Sequence, residues 1–142
     1  MDIPLVSVII PCYNASKYVE QAVRSIMNQT YKNLEILVAN DCSTDNTLEI
    51  LERLASEDAR IKVIKNDVNH KIVKTLNKLI ALTNGKYIAR MDADDISLPE
   101  RIEKQVNFLE HNPEYVMCGT NALHINEDGN EIGRSCLPLT YE

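Results

Sequence analysis

The feature that most constrains this chain is a repeated alternation: short apolar, β-branched runs are followed by stretches whose apolar residues recur at helical spacing. Leu5 to Ile10 (Leu-Val-Ser-Val-Ile-Ile) stops at Pro11 and reads as a strand buried on both faces. Val19, Ala22, Val23 and Ile26 then repeat with the period of one helical face. The pattern returns with a strand at Leu34 to Ala39, the polar turn Asn40 to Asp45, and a helix marked by Leu48, Leu51, Leu54 and Ala55. Asp45 and Asn46 are suited to cap that helix, and Asp45 is assigned this structural role.

A third strand is expected at Ile61 to Ile64 and a third helix over Ile72 to Leu82, with Gly85 where that helix should end. Tyr87 to Met91 is a fourth strand and runs directly into Asp92-Ala93-Asp94-Asp95. Ser97-Leu98-Pro99-Glu100 has the spacing of a capping box and should open a helix with Ile102, Val106 and Leu109 inward. Val116 to Gly119 is expected as a further strand, and Leu123 to Ile125 with Ile132 as a hairpin about Asp128-Gly129. The last residues, 137–142, form no recognisable element. The expected fold is α/β: a mostly parallel, Rossmann-like sheet with helices on both faces and a C-terminal β-hairpin. In such sheets ligands bind beyond the carboxyl ends of the strands, where the polar turns named here fall.

Composition narrows the function classes. With 142 residues and 44% hydrophobic content, one domain with a real core is expected. The balance of 15 basic against 21 acidic residues, a net charge of -6, disfavours a nucleic-acid partner. No apolar run approaches the roughly 20 residues that span a bilayer, and Asp2 and Pro4 are unlike a signal peptide. A cytoplasmic location is therefore expected, with peripheral attachment to the cytoplasmic membrane face left open. Cys12, Cys42, Cys118 and Cys136 show no metal or redox spacing and read as reduced thiols. His70, His111 and His124 are too dispersed to form a metal site.

Asp92 and Asp94, two apart at the end of a strand, should present their carboxylates to one point. A hard divalent cation, Mg²⁺ or Mn²⁺, is commonly held by one or two carboxylates together with phosphate oxygens. Asp41 can accept a hydrogen bond from the imide N–H of a nucleobase, and Pro11-Cys12-Tyr13-Asn14 offers a ring and backbone amides to flank one. The bland alternative for the acids is a solvated turn or a helix cap.

Three segments together resemble the inverting family 2 glycosyltransferases of the GT-A fold. Val6 to Asn14 resembles their opening strand and P-x-Y-N turn, Asn40 to Asp45 their D-D-G-S-x-D turn, and Gly85 to Asp95 with Leu98-Pro99-Glu100-Arg101 their D-x-D region. The resemblance covers most of the chain from Pro4 to about residue 120. It implies a nucleotide-sugar-binding glycosyltransferase domain, of the kind that builds polysaccharide, with a UDP-sugar as first choice of donor and Mn²⁺ or Mg²⁺ as cofactor. Pro11, Tyr13, Asn14 and Asp41 would serve the nucleotide, with Asp41 reading uracil. Asp92 would face ribose and diphosphate, and Asp94, with Asp92, would ligate the metal. The acceptor would be a saccharide or a lipid-linked molecule.

Two departures bear on the backbone. Asn40 and Cys42 stand where Asp and Gly are commoner, and Asn69-His70-Lys71 matches an N-x-G segment, so the shapes of both turns stay open. Lys71 and Lys74 are read as solvated lysines rather than phosphate ligands. Inverting transfer also needs a general base, which in the family lies in the half that follows this region. Glu127, Asp128 and Glu131 fit that role poorly, so the base is expected beyond residue 142 and the chain is expected to be truncated and weakly active or inactive alone. Two other functions compete: a catalytically silent nucleotide-binding module, and a phosphatase using Asp92 of the D-x-D as nucleophile. A dinucleotide-dependent dehydrogenase is discarded because the first turn lacks G-x-G-x-x-G.

Overall fold

The computed structural model describes residues 3–137, and the terminal segment 138–142 lies outside the described residues. The chain divides into two compact units, Met1–Glu103 and Lys104–Glu142. The first holds β1 (Val6–Cys12), α1 (Val19–Met27), β2 (Leu34–Asn40), α2 (Thr47–Glu57), β3 (Ile61–Lys65), α3 (Lys71–Ile80) and β4 (Tyr87–Arg90). It ends within α4 (Arg101–His111), which continues into the second unit, and that unit carries β5 (Leu123–Ile125) and β6 (Glu131–Arg134).

The four strands of the first unit form one parallel sheet in the order β3-β2-β1-β4. Strands β1 and β2 are central and buried on both faces, which is why both lack the polar–apolar alternation of a half-exposed strand. Parallel neighbours require crossovers, and right-handed ones place α1 and α2 over one face and α3 over the other. Leu79 of α3 packs with Ile9, Leu37 and Ala39 in a fully buried cluster, while α1 and α2 lie side by side on the far face. Each buried Leu or Ile contributes about 1.5–3 kcal/mol relative to exposure.

Glu35 is a charged residue within the buried strand β2, only 7% exposed. Its carboxylate accepts hydrogen bonds from the Ser7 hydroxyl at 2.6 Å, the Asn84 backbone N–H at 2.6 Å and Lys62 Nζ at 3.2 Å. Burial acts to raise its pKa, but these donors outweigh it and hold the group down at about 2. The same network explains Gly85, which is not a helix terminator: α3 ends at Ile80, and a Cβ on Gly85 would lie 2.6 Å from the Ser7 backbone nitrogen. Glycine is required where the chain enters β4 against β1, and the Gly85 N–H donates to the Ser7 hydroxyl at 2.8 Å.

Two further expectations are corrected. The Ser97 hydroxyl does not cap a helix beginning beside it. The helix starts at Arg101, and Ser97 Oγ accepts from the Gln29 side-chain amide at 3.2 Å. Val116 to Gly119 does not form a strand, because the apolar run finds no neighbour to pair with and Val116 is 93% exposed. The hairpin is present, with β5 and β6 antiparallel and an irregularity between His124 and Ile125. Its turn is closed by Asn126, whose side-chain oxygen accepts the N–H groups of Asp128 and Asn130, with Gly129 at φ 82.

Candidate functional site

Chain order reverses direction between β1 and β4: β2 and β3 extend the sheet to one side of β1, whereas β4 returns to the other. The crevice outside the carboxyl ends of β1 and β4 is therefore the topological switch point, the preferred ligand position of an open parallel sheet. Pro11 and Cys12 finish β1 at this edge and Tyr13 and Asn14 turn out of it, the acids Asp92 to Asp95 follow β4 beside them, and Asp41 follows β2 on the other flank of β1.

The first two turns are bound into one unit. The Asn14 N–H donates to Ser43 Oγ at 3.0 Å, and Asn14 Oδ1 accepts from the Thr44 N–H at 2.8 Å. Ala15 N–H donates to Thr47 Oγ1 at 2.9 Å and Ser16 N–H to Asp45 Oδ2 at 3.0 Å. Asp45 also accepts the Thr47 N–H at 3.0 Å, so it satisfies a free amide at the start of α2, a role that the Asn46 side chain does not take. Burial acts to raise the Asp45 pKa, and the bonds from Thr47 and Ser16 override it, leaving the carboxyl well below its ordinary range. Asn14 thus acts within the protein as a clamp, at φ 48, while the Tyr13 ring beside it is half-exposed.

Asp41 is buried and is held from the β3–α3 side. Its Oδ1 accepts from Asn66 Nδ2 and from the His70 N–H, both at 2.8 Å. Burial would raise its pKa, but these hydrogen bonds lower it on balance, so the group is an anion. Asn66 is itself oriented by Lys78 Nζ, which donates to its Oδ1 at 2.7 Å. The turns around this centre keep a glycine-like backbone without glycine: Cys42 has φ 60 and Lys71 has φ 64. The two substitutions noted in the sequence therefore leave the left-handed path intact, at a steric cost of about 1–2 kcal/mol per residue.

The acids after β4 are not on the strand. The strand ends at Arg90, Asp92 to Asp95 form a turn closed by the Asp95 N–H to the Asp92 carbonyl at 3.3 Å, and Ala93 is buried between them. Strand alternation consequently is not what relates Asp92 to Asp94. Asp92 pairs with Arg90 at 3.0 Å, an exposed contact of little energetic weight. Among the described residues Asp94 has no hydrogen-bond partner and is exposed. Asp95 has a raised pKa, caused first by burial and then by the negative charges of Asp94 and Asp92, so the turn concentrates negative charge that Arg101 and Arg90 offset only in part. No group of three His, Cys, Asp or Glu side chains poised to hold a metal occurs among the described residues.

Two positioning residues carried no readable signal in the sequence. Gln29 is wholly buried and fixes the segment after the acids, with its Oε1 accepting the Ile102 N–H at 3.0 Å and its Nε2 donating to the Leu98 carbonyl at 2.8 Å. Asn66 is the other. A lone Gln after a helix and a lone Asn after a strand look like solvated turn residues until their partners, far off in sequence, are known. The four cysteines are free, and burial pushes the Cys12 thiol up to about 12, which makes it unreactive.

The profile described as "Glycosyl transferase family 2" matches residues 7–140. The chain belongs to this family. An uncharacterized glycosyltransferase of Haemophilus influenzae is 50% identical over 82% of the chain and 36% of its own length. The chondroitin synthase of Pasteurella multocida is 34% identical over 92% of the chain and 13% of its length. Among solved structures, S. aureus TarS 1-349 in complex with UDP-GlcNAc matches with a TM-score of 0.71 at 29% identity, covering 76% of the chain and 32% of TarS 1-349. This family 2 chain spans about half or less of the length of the curated relatives it matches. Its architecture is that of the GT-A glycosyltransferases. No helix among the described residues is long and apolar enough to cross a membrane.

Proposed function

We propose that this chain binds a nucleoside diphosphate sugar, with a UDP-sugar as first choice, at the carboxyl edge of β1 and β4. One observation carries the reading: the reversal of strand order sets the Pro11–Asn14 turn and the acid turn side by side, with the Asp41 turn on the other flank of β1. A further support is that TarS, similar in sequence and fold, was crystallised with UDP-GlcNAc. In this proposal Pro11 and Tyr13 flank the base, Asp41 accepts from its imide N–H, and Asn14 holds the turn that presents them. Asp92 faces ribose and diphosphate.

The acid turn suits a divalent cation in the company of a phosphate. It offers concentrated negative charge and an unpartnered Asp94, yet too few side chains to enclose an ion alone. Mn²⁺ or Mg²⁺ bound there, by Asp94 and Asp92, would neutralise the charge of the departing diphosphate. Transfer to an acceptor hydroxyl with inversion also requires a base opposite the leaving group. We place that base, and the pocket for a saccharide or lipid-linked acceptor, outside this sequence, and assign the reaction itself to the cytoplasm.

Calorimetric titration of UDP, with and without Mn²⁺, tests the reading on the wild type and on Asp94→Ala. The expected result is metal-dependent binding that the substitution abolishes. Binding of neither UDP nor GDP at any metal concentration would overturn it and favour a module that keeps the fold without the ligand.

A further inference from the structure

We propose that α3 is a docking surface for an anionic lipid bilayer. Between Asp67 and Asp92 the chain has no acidic residue but five basic ones: Lys71, Lys74, Lys78, Lys86 and Arg90. An even spread of its 21 acids would put about three or four there, so this stretch is segregated from the -6 charge of the whole.

The helix sorts its own exposed residues into two flanks. Thr75 and Leu79 face the sheet. At 3.6 residues per turn, Val73 and Ile80 then share one flank, and Lys71, Lys74 and Lys78 lie toward the other. Among the described residues the apolar flank is exposed: Val73 is 66% exposed and Ile80 46%, and Val68 and Leu82 extend it beyond the two ends of the helix. Neither Lys71 nor Lys74 makes an ion pair among the described residues. The acids beneath this region are Glu35 and Asp41, both buried: Glu35 is paired with Lys62, and Asp41 is engaged by Asn66 and the His70 N–H, while Lys71 and Lys74 stay exposed above them.

An exposed apolar flank beside a lysine flank is the arrangement of helices that lie in the plane of a membrane interface. The aliphatic side chains enter the headgroup boundary, and Lys71 and Lys74 reach anionic headgroups, while Lys78 Nζ stays bound to Asn66 Oδ1 at 2.7 Å. A single-stranded nucleic acid would use the positive charge but would find no aromatic ring on α3 for its bases to stack on. The surface is independent of the metal and nucleotide reading. Because the residue before α3 donates to Asp41, docking would bring the switch-point crevice close to the bilayer.

Co-sedimentation of the whole chain with vesicles tests this. The vesicles are phosphatidylcholine alone or phosphatidylcholine with phosphatidylglycerol, at low and high salt. The expected result is binding to the anionic vesicles only, weakened by salt. Lys74→Glu should lower the partition coefficient by about five-fold or more, and Val73→Asp with Ile80→Asp should abolish binding. All three positions are exposed, and far-UV circular dichroism with thermal unfolding checks that the variants stay folded. Equal binding to neutral vesicles, no binding to either, or binding indifferent to these substitutions would overturn the proposal. UDP titration is a separate readout, so failure of lipid binding and failure of the donor site are distinguishable.

Discussion

The Asp41 carboxylate accepts the His70 backbone N–H at 2.8 Å and so ties the end of β2 to the start of α3. The same oxygen takes Asn66 Nδ2, which leaves the carboxylate charged, buried and unable to swing away. A residue proposed to read a base is thereby preorganised by the protein before any ligand arrives.

Asp41→Ala should consequently cost stability as well as binding. It leaves the part-buried His70 N–H without its acceptor and takes one of two acceptors from Asn66 Nδ2, which keeps Thr75 Oγ1 at 3.2 Å, a combined penalty of about 1–3 kcal/mol. Urea unfolding should show a loss of that size. Asn66→Ala should reproduce part of that loss and weaken UDP binding without touching the nucleotide. Unchanged UDP affinity in Asn66→Ala would show that the orientation of Asp41 is unimportant.

Glu35 makes the fold sensitive to acid. Its folded pKa of about 2 lies below the ordinary 4.5, so its contribution is fully present above about pH 4.5 and is lost as pH falls toward 2. At about 1.4 kcal/mol per unit the contribution is about 3 kcal/mol at most. Unfolding free energy measured from pH 6 to pH 3 should decline, and Glu35→Gln should flatten that decline while lowering stability at neutral pH.

Gly85→Ala is expected to destabilise by about 1–3 kcal/mol. The added Cβ would sit 2.6 Å from the Ser7 nitrogen and 2.9 Å from the Leu5 carbonyl oxygen, both backbone atoms that cannot rotate aside. Gly119→Ala, whose Cβ meets nothing within 4 Å, is the matched control and should be nearly neutral in thermal unfolding.

Lys71→Gly should be neutral or stabilising by up to about 1 kcal/mol, because the relief of a left-handed backbone exceeds the added freedom of the unfolded chain. Lys71→Val should destabilise, since a β-branched residue tolerates φ 64 least. A Gly variant that unfolds earlier than wild type in urea would refute the claim that φ at this position is strained.

The order of strands and helices was readable because both periods are local: a run buried on both faces and a helix with one apolar stripe are each written within about ten residues. The apolar runs of β1 to β4 and the spacing of α1 to α3 needed no partner to be recognised. Val116 to Gly119 shows the limit, since an apolar run becomes a strand only where a neighbour offers its hydrogen bonds, and here none does. Gly85 shows another, because a glycine after a helix is the same letter whether it ends that helix or passes within van der Waals distance of β1.

The chain of residues alone determined the α/β class, the carboxyl-edge position of the polar turns and the identity of Pro11, Tyr13, Asn14, Asp41, Asp92 and Asp94 as candidates. Only the tertiary structure decided that Asn14 clamps the second turn, that Asp41 is charged yet buried, and that Gln29 and Asn66 hold the segments around the candidate site. The reason is physical. Apolar periodicity records how each residue meets the core, which is a property of its own neighbourhood. These hydrogen bonds join groups 25, 30 or 73 positions apart, and nothing in the sequence near either partner marks the other.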